Sequence, residues 1–271
     1  NPSIGGSAKG IVVREIDALG GFMGKAADYD YLQMKMLNTA KGVGVRCLRA
    51  QEDKLRYPKY VQNHIKNSKN LDVLEDEVKG IIFENDTIYG VILSENRKIY
   101  ARAVVLSTGT YMNSEIMVGH SKVSGGPDGE KPSVGLSDYL RNEMGLDLIR
   151  LKTGTPQRLA KESIDFSKAE IQLGNVEDEG FSYETNSFKA IKDQEPCYLI
   201  YTNEKTHKII RDNLLESSMY GGIVKGVGPR YCPSIEDKLV RFADKPRHQL
   251  FLEPESYDTN SIYLQGFSTS M

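Results

Sequence analysis

A thiol, an arginine and two glycines crowd one short stretch, Gly226-Val227-Gly228-Pro229-Arg230-Tyr231-Cys232-Pro233-Ser234-Ile235-Glu236-Asp237. A cysteine attacks as its thiolate, and a nearby cation or helix N-terminus favours that form. Pro233, then Ser234, Glu236 and Asp237, read as a helix opening with proline early and carboxylates in the first turn. The spacing places Cys232 just ahead of that helix, with Arg230 close by. The glycines and Pro229 predict a loop that bulky residues could not form. A buried structural cysteine at a turn explains the same residues, and for a lone cysteine that plainer reading is the default.

Cations and glycines recur elsewhere. Between Asn38 and Gln51, Lys41, Arg46 and Arg49 share a short span with Gly42 and Gly44. Such a span suits a phosphate or a cofactor edge, with arginine as a planar fork and lysine as a point charge. A solvated basic loop is the usual alternative. Gly5 and Gly6 lie in a glycine- and serine-rich turn with Lys9, the kind of loop that presents N–H groups to anions or flat rings. Thr108-Gly109-Thr110 and Thr153-Gly154-Thr155 repeat one phrase, each at the end of an expected strand, and two such ends could flank one ligand. His64 and His207 read as helix-surface residues, and Cys47 as structural.

These residues need elements to position them. Ile11 to Leu19 has helical spacing and is stopped by Gly20-Gly21. Further helices are expected over about Ala26–Leu37, Glu52–Asn67, Leu136–Met144 and Thr202–Leu215, the last capped by Thr202 or Asn203. Leu71–Leu74 reads as a strand, then Val78–Asp86, Ile88–Leu93 and Lys98–Ala101 as antiparallel strands. Ala103–Ser107 reads as a buried parallel strand, whose C-terminal end is where open α/β sheets take ligands. Gly119–Ser133 is expected to be loop. Asp147–Lys152, Cys197–Tyr201, Arg247–Glu255 and Ile262–Leu264 are expected strands. Between Ile164 and Tyr201 charges and short β runs replace the helix–strand alternation, which suggests an inserted subdomain.

The chain has 271 residues, enough for one large domain or two smaller ones with real cores. With 39% hydrophobic and 27% charged residues it belongs to the soluble globular class. A net charge of -2 leaves any nucleic-acid site to a local basic patch. Cys47, Cys197 and Cys232 form no CxxC pair, which argues against a zinc site and a disulfide framework and points to a reducing, cytoplasmic compartment. No apolar run reaches membrane-spanning length. The opening on Asn1-Pro2-Ser3 and the end on Thr269-Ser270-Met271 read as a piece of a longer protein.

Seven phrases, in order, resemble one family. They are Asn1-Pro2-Ser3-Ile4-Gly5-Gly6, Glu15-Ile16-Asp17-Ala18-Leu19-Gly20-Gly21, Lys41-Gly42-Val43-Gly44-Val45-Arg46, Leu151-Lys152-Thr153-Gly154-Thr155-Pro156, Thr202-Asn203-Glu204-Lys205-Thr206-His207, the cysteine stretch, and Phe251-Leu252-Glu253-Pro254-Glu255. The family is MnmG, or GidA, the FAD-dependent tRNA uridine 5-carboxymethylaminomethyl modification enzymes. The cysteine stretch is the most specific phrase. The resemblance implies an α/β, glutathione-reductase-like FAD-binding Rossmann fold with an inserted α+β NAD-binding subdomain. On that reading residues 1–153 and 228–271 belong to the FAD-binding domain and 154–227 to the insertion.

The resemblance also implies a homodimer that works on the wobble uridine of tRNA with an MnmE-type GTPase. Methylenetetrahydrofolate would supply the one-carbon unit, glycine or ammonium the amine, and NADH would reduce the flavin. Val78 and Ser133 match FAD-contact positions. The segment associated with NAD matches Gly228, Pro229, Arg230, Tyr231, Cys232, Pro233, Ser234, Ile235, Glu236, Asp237, Lys238, Leu239, Val240, Arg241 and Phe242. Cys232 matches a cysteine important for activity. Gly5, Gly6, Lys41, Arg46, Arg49, Thr108, Gly109 and Lys152 are the remaining candidates for flavin, folate or RNA contacts, which the sequence does not divide among those ligands. The family's G-x-G-x-x-G loop, a second important cysteine and the C-terminal helical part find no match here. The isolated chain is therefore expected neither to retain FAD nor to modify tRNA. Two other readings stand beside this one: a folate- and FAD-dependent tRNA uracil methyltransferase, and a non-catalytic piece that binds a cofactor or partner.

Overall fold

The computed structural model describes residues 3–224 and 233–271. The first stretch runs β1 (Ser3–Gly5), α1 (Lys9–Ala18), α2 (Met23–Tyr29), β2 (Tyr31–Leu37), β3 (Cys47–Glu52) and α3 (Arg56–Asn67). Next come β4 (Val78–Glu84), β5 (Thr87–Leu93), β6 (Lys98–Tyr100), β7 (Glu115–Val118), β8 (Ser121–Ser124) and α4 (Leu136–Asn142). The remainder holds β9 (Arg158–Ala160), β10 (Glu170–Gln172), β11 (Cys197–Tyr201), α5 (Glu204–Asp212), α6 (Ile235–Arg241), β12 (Gln249–Pro254) and β13 (Ser261–Gln265).

The chain forms two compact units. The first takes Asn1–Leu71, Thr155–Lys208 and Lys238–Ser268, and the second takes Asp72–Gly154, Ile209–Asp237 and Thr269–Met271. The chain passes between them more than once, and the expected block of residues 1–153 is divided after Leu71.

In the first unit, a three-stranded sheet in the order β1-β3-β2 accompanies a five-stranded sheet in the order β10-β11-β12-β13-β9. Its core gathers Val13, Ala27, Tyr31, Met34, Leu48, Ala50, Val176 and Phe181. The helix expected over 26–37 ends at Tyr29, and Tyr31–Leu37 is strand. Long-range partners explain the change. β2 pairs with β3 on one side, and its other edge is satisfied by Gln194 Oε1, accepting from Met34 N at 2.8 Å, and by Asn175 Oδ1, accepting from Met36 N. These contacts cover an edge that helical spacing alone would not reveal. At the end of β1, Gly5 has φ +92°, and a Cβ there would lie 2.2 Å from the Leu48 carbonyl and 2.5 Å from the Phe181 ring.

The second unit holds the sheet β4-β5-β6 and the hairpin β7-β8. Ile81, Leu136 and Leu140 are its buried centre, so α4 packs on the sheet's apolar face. Asn85 and Asp86, both at positive φ, make the two-residue turn that joins β4 to β5. Four expectations fail here. Leu71–Leu74 and Asp147–Lys152 form no named strand, and part of the expected loop, Ser121–Ser124, pairs with Glu115–Val118. Ala103–Ser107 is not a buried parallel strand either: it is irregular chain with Val105 88% exposed. A parallel strand needs neighbours, and every pairing of named strands among the described residues is antiparallel.

Candidate functional site

The helix predicted after Cys232 is present. Cys232 itself lies outside the described residues, as do Arg230, Gly228, Pro229 and Tyr231. Two positions further on, Ser234 and Asp237 cap α6 reciprocally. Ser234 Oγ accepts from Asp237 N at 3.2 Å, and Asp237 Oδ2 accepts from Ser234 N at 3.0 Å. Asp237 is also the hub of its surroundings: Tyr220 donates its hydroxyl at 3.1 Å, and Lys152 Nζ stands 3.5 Å away. Burial works to raise the Asp237 pKa, yet the Ser234 N–H, Lys152 and Tyr220 together outweigh it and hold the carboxyl below its usual range. Lys152 is thus a partner of Asp237, not a free cation for folate or RNA. Glu236 is fully buried and accepts from Thr269 Oγ1 at 2.6 Å and from Ser270 N at 3.2 Å.

These contacts decide how much of 233–242 faces outward. Ser234, Ile235, Glu236, Asp237 and Leu239 are buried, and Lys238 Nζ donates to the Gly266 carbonyl at 2.7 Å. Pro233 is half-buried, while Val240, Arg241 and Phe242 are exposed. A nicotinamide surface running through the whole segment does not fit residues 234–239, which are spent on internal contacts.

The sequence neighbours of Val78 and Ser133 are hydrogen-bonded to each other. Glu77 and Lys79, on either side of Val78, both hold Val134: Val134 N donates to Glu77 Oε1 and Lys79 Nζ donates to the Val134 carbonyl, each at 3.1 Å. The Ser133 backbone is tied to Tyr111 and Asn113, but its hydroxyl has no hydrogen bond among the described residues. Val78 and Ser133 are both half-buried. Thr108 and Gly109 form a turn at whose middle Gly109 has φ +57°. No named strand precedes it, so the expected strand-end site is absent.

In the first unit the predicted basic cluster disperses. Arg49 Nη2 donates to the buried Glu253 carboxylate and, at 3.2 Å, to Gln51 Oε1. It is a structural cation, not a phosphate fork. Arg46 donates to the Thr39 carbonyl at 3.2 Å, and Lys41 is exposed. Gly5 is held in β1, and Gly6 N donates to the Leu48 carbonyl, so neither offers a free anion cradle. Cys47 is buried and unpaired, as read from the sequence. Cys197 is buried too, and burial pushes its thiol up to about 12, which keeps it unreactive.

His207 departs most from its sequence reading. It is 2% exposed, and its Nε2 lies 2.7 Å from Thr202 Oγ1. Its ring sits 5.4 Å from that of His248, whose pKa is lowered by burial and then by His207, Lys238 and Lys245. The signal was present: Ile210, three residues on, is also buried, so His207 shares the inward face of α5. The Asp237–Tyr220 contact had no such signal, because Tyr220 lies in an irregular turn.

Glu52 was also missed as a charge site. It ends β3 at 2% exposure, and neither carboxylate oxygen has a hydrogen-bond partner. Burial, then the neighbouring Asp28, pushes its pKa well above the carboxylate range. A carboxyl raised in the folded state contributes fully below its unfolded value, and that contribution is lost as pH rises toward the folded value. Glu52→Gln therefore gives a protein that holds stability better above pH 5. The difference from wild type grows by up to about 1.4 kcal/mol per pH unit within that window. Urea midpoints from pH 5 to 8 check this, and parallel profiles would contradict it.

The geometry defines a multi-sheet α/β protein in which a capped helix, α6, follows Cys232 in sequence. All of residues 1–271 match the family described as Glucose inhibited division protein A, and the chain belongs to that family. It is 55% identical over 271 residues to the tRNA uridine 5-carboxymethylaminomethyl modification enzyme MnmG of Geobacillus thermodenitrificans, covering 100% of this chain and 43% of that protein. The enzyme of the same name from Acholeplasma laidlawii is 54% identical, with 44% of its length covered. Aquifex aeolicus GidA, in its form I crystal, superposes with a TM-score of 0.91 at 51% identity over 100% of this chain and 46% of that one. The chain thus spans less than half the length of these relatives, and the resemblance read from its motifs is borne out.

Proposed function

We propose that the protein modifies tRNA, installing a carboxymethylaminomethyl group at C5 of the wobble uridine. The observation that carries this reading is the 55% identity, unbroken in coverage across the chain, to an MnmG enzyme. The finer fold reading belongs to the proposal: a glutathione-reductase-like FAD-binding domain with an inserted NAD-binding part. So do a cytoplasmic setting, a homodimer and an MnmE-type GTPase partner.

In this reading Cys232 is the nucleophile. Its thiolate adds to C6 of the uracil ring, forming the S–C6 bond and moving the C5–C6 π electrons toward C5 and O4. C5 then attacks the one-carbon electrophile that methylenetetrahydrofolate supplies. The C5 proton and tetrahydrofolate then leave, giving an exocyclic methylene at C5. The amine of glycine adds to that methylene and gives up a proton, and the thiolate departs from C6 as the ring double bond re-forms. The capped start of α6 gives the segment after Cys232 a fixed anchor, with Asp237 held by Ser234, Tyr220 and Lys152. Val78 and Ser133 would hold FAD, which when bound supplies redox chemistry. For NADH, Val240, Arg241 and Phe242 are the exposed residues of the described segment.

The test is a strain lacking the gene. Reintroducing the protein at the length of its relatives should restore the carboxymethylaminomethyl mass on wobble uridine. A methyl group in its place, or no change in the nucleoside profile, would overturn the reading.

A further inference from the structure

The first unit carries a surface that this chemistry does not use. Phe22 and Tyr29, at the two ends of α2, meet Tyr60 and His64, one turn apart on α3. The rings stack in the order His64, Phe22, Tyr60, Tyr29, with centroids 3.6, 5.5 and 3.8 Å apart and interplanar angles of 6°, 23° and 10°. The terminal ring, Tyr29, remains 62% exposed. It borders a cleft of about 410 Å³ that Lys25, Tyr60, Thr185, Asn186 and Ser187 also line. The two carboxylates there are occupied: Glu184 pairs with Lys25 at 2.8 Å, and Asp28 accepts from Phe181 N, Ser182 N and Thr185 Oγ1.

α3 itself has one sign of charge. From Lys54 to Leu71 the sequence holds five Lys or Arg residues and no Asp or Glu, and no residue of α3 is buried. Arg56 is neutralised by Asp258 and Asp30. Lys59, Lys66 and Lys69 are exposed and make no ion pair among the described residues. Packing α2 against α3 requires the inner rings. It requires neither an exposed terminal ring nor a helix free of carboxylates.

We propose that the α2–α3 face binds single-stranded RNA, with an unpaired base stacked on Tyr29 at the mouth of the cleft and phosphates met by Lys59, Lys66 and Lys69. Exposed rings interleaved with unpaired cations suit a polyanion whose bases present flat faces, and stacking tolerates any base. The inference rests on the tRNA reading above and locates a contact for it.

The test uses the protein at the length of its relatives and a labelled anticodon stem-loop, with binding followed by anisotropy over a range of KCl concentrations. Tyr29→Ala should bind about tenfold more weakly at every salt concentration, while Tyr29→Phe, which keeps the ring, should bind as wild type. The double variant Lys59→Gln/Lys66→Gln should bind more weakly and flatten the plot of log affinity against log salt by roughly 1.4, about 0.7 for each phosphate left without its lysine. If the wild type binds the stem-loop and both Tyr29→Ala and the lysine pair bind equally well, the proposed face is wrong. If the wild type itself binds no tRNA, the tRNA reading falls and this inference with it.

Discussion

Arg49→Ala should destabilise the first unit by about 3–5 kcal/mol at neutral pH, the usual cost of stripping the partner from a buried charge. Glu253 has no exposed side-chain surface, and its Oε2 has no hydrogen-bond partner, so Arg49 is its main compensation. Burial raises the Glu253 pKa, and Arg49 pulls it back down. Without the guanidinium the carboxyl rises further. Its contribution to stability is then complete below the unfolded glutamate value and lost as pH climbs above it. The penalty for Arg49→Ala is accordingly larger at pH 7.5 than at pH 5. Adding Glu253→Gln should recover much of the loss, because the uncompensated charge is gone while the shape is kept. Urea titrations of the single and double variants at both pH values measure all of this. A pH-independent penalty, or no rescue, would show that Arg49 acts by packing alone.

That Arg49 serves a carboxylate instead of a ligand illustrates where sequence reading stops. A cation among glycines looks the same whether its partner is a phosphate or Glu253, which lies 204 residues away. Local chemistry was legible. Asn85-Asp86 announces its turn, Ser234 and Asp237 announce their cap, and Asn203 caps α5 by accepting from Thr206 N at 2.9 Å. The strand β2 was not legible, because Gln194 and Asn175 reach it from 160 and 139 residues away. Ala103–Ser107 misled in the opposite direction. Its composition suits a buried strand, but composition cannot supply neighbouring strands.

The candidate site divides the same way. Val78 and Ser133 came from family resemblance, and the hydrogen bonds that join their neighbours Glu77, Lys79 and Val134 could not be read from spacing. For residues 234–242 the resemblance named a surface, and the structure turns most of it inward. What stayed outside is three residues on the last turn of a short helix and just beyond it. His207 shows that a helical period deserves weight over the identity of the residue, since its inward position follows from Ile210.

Cys232→Ser should eliminate wobble-uridine modification in the protein at the length of its relatives, lowering the rate by at least about 10³-fold. The argument is chemical. Attack at C6 needs an anionic nucleophile at neutral pH, and a serine hydroxyl ionises far too rarely without a base to take its proton. The two carboxylates that follow it most closely in sequence, Glu236 and Asp237, are engaged elsewhere. Asp237 is held as a carboxylate, but Ser234, Tyr220 and Lys152 already engage it. Glu236 is buried against Thr269 and Ser270. The α6 cap uses Ser234 and Asp237, so its hydrogen bonds do not depend on the thiol, and the thermal midpoint should stay near that of wild type. Mass analysis of the wobble nucleoside, beside a melting curve, separates the two roles of the residue. Full modification by Cys232→Ser would remove the thiol from the mechanism. Loss of activity together with a large drop in melting temperature would mark Cys232 as a structural thiol.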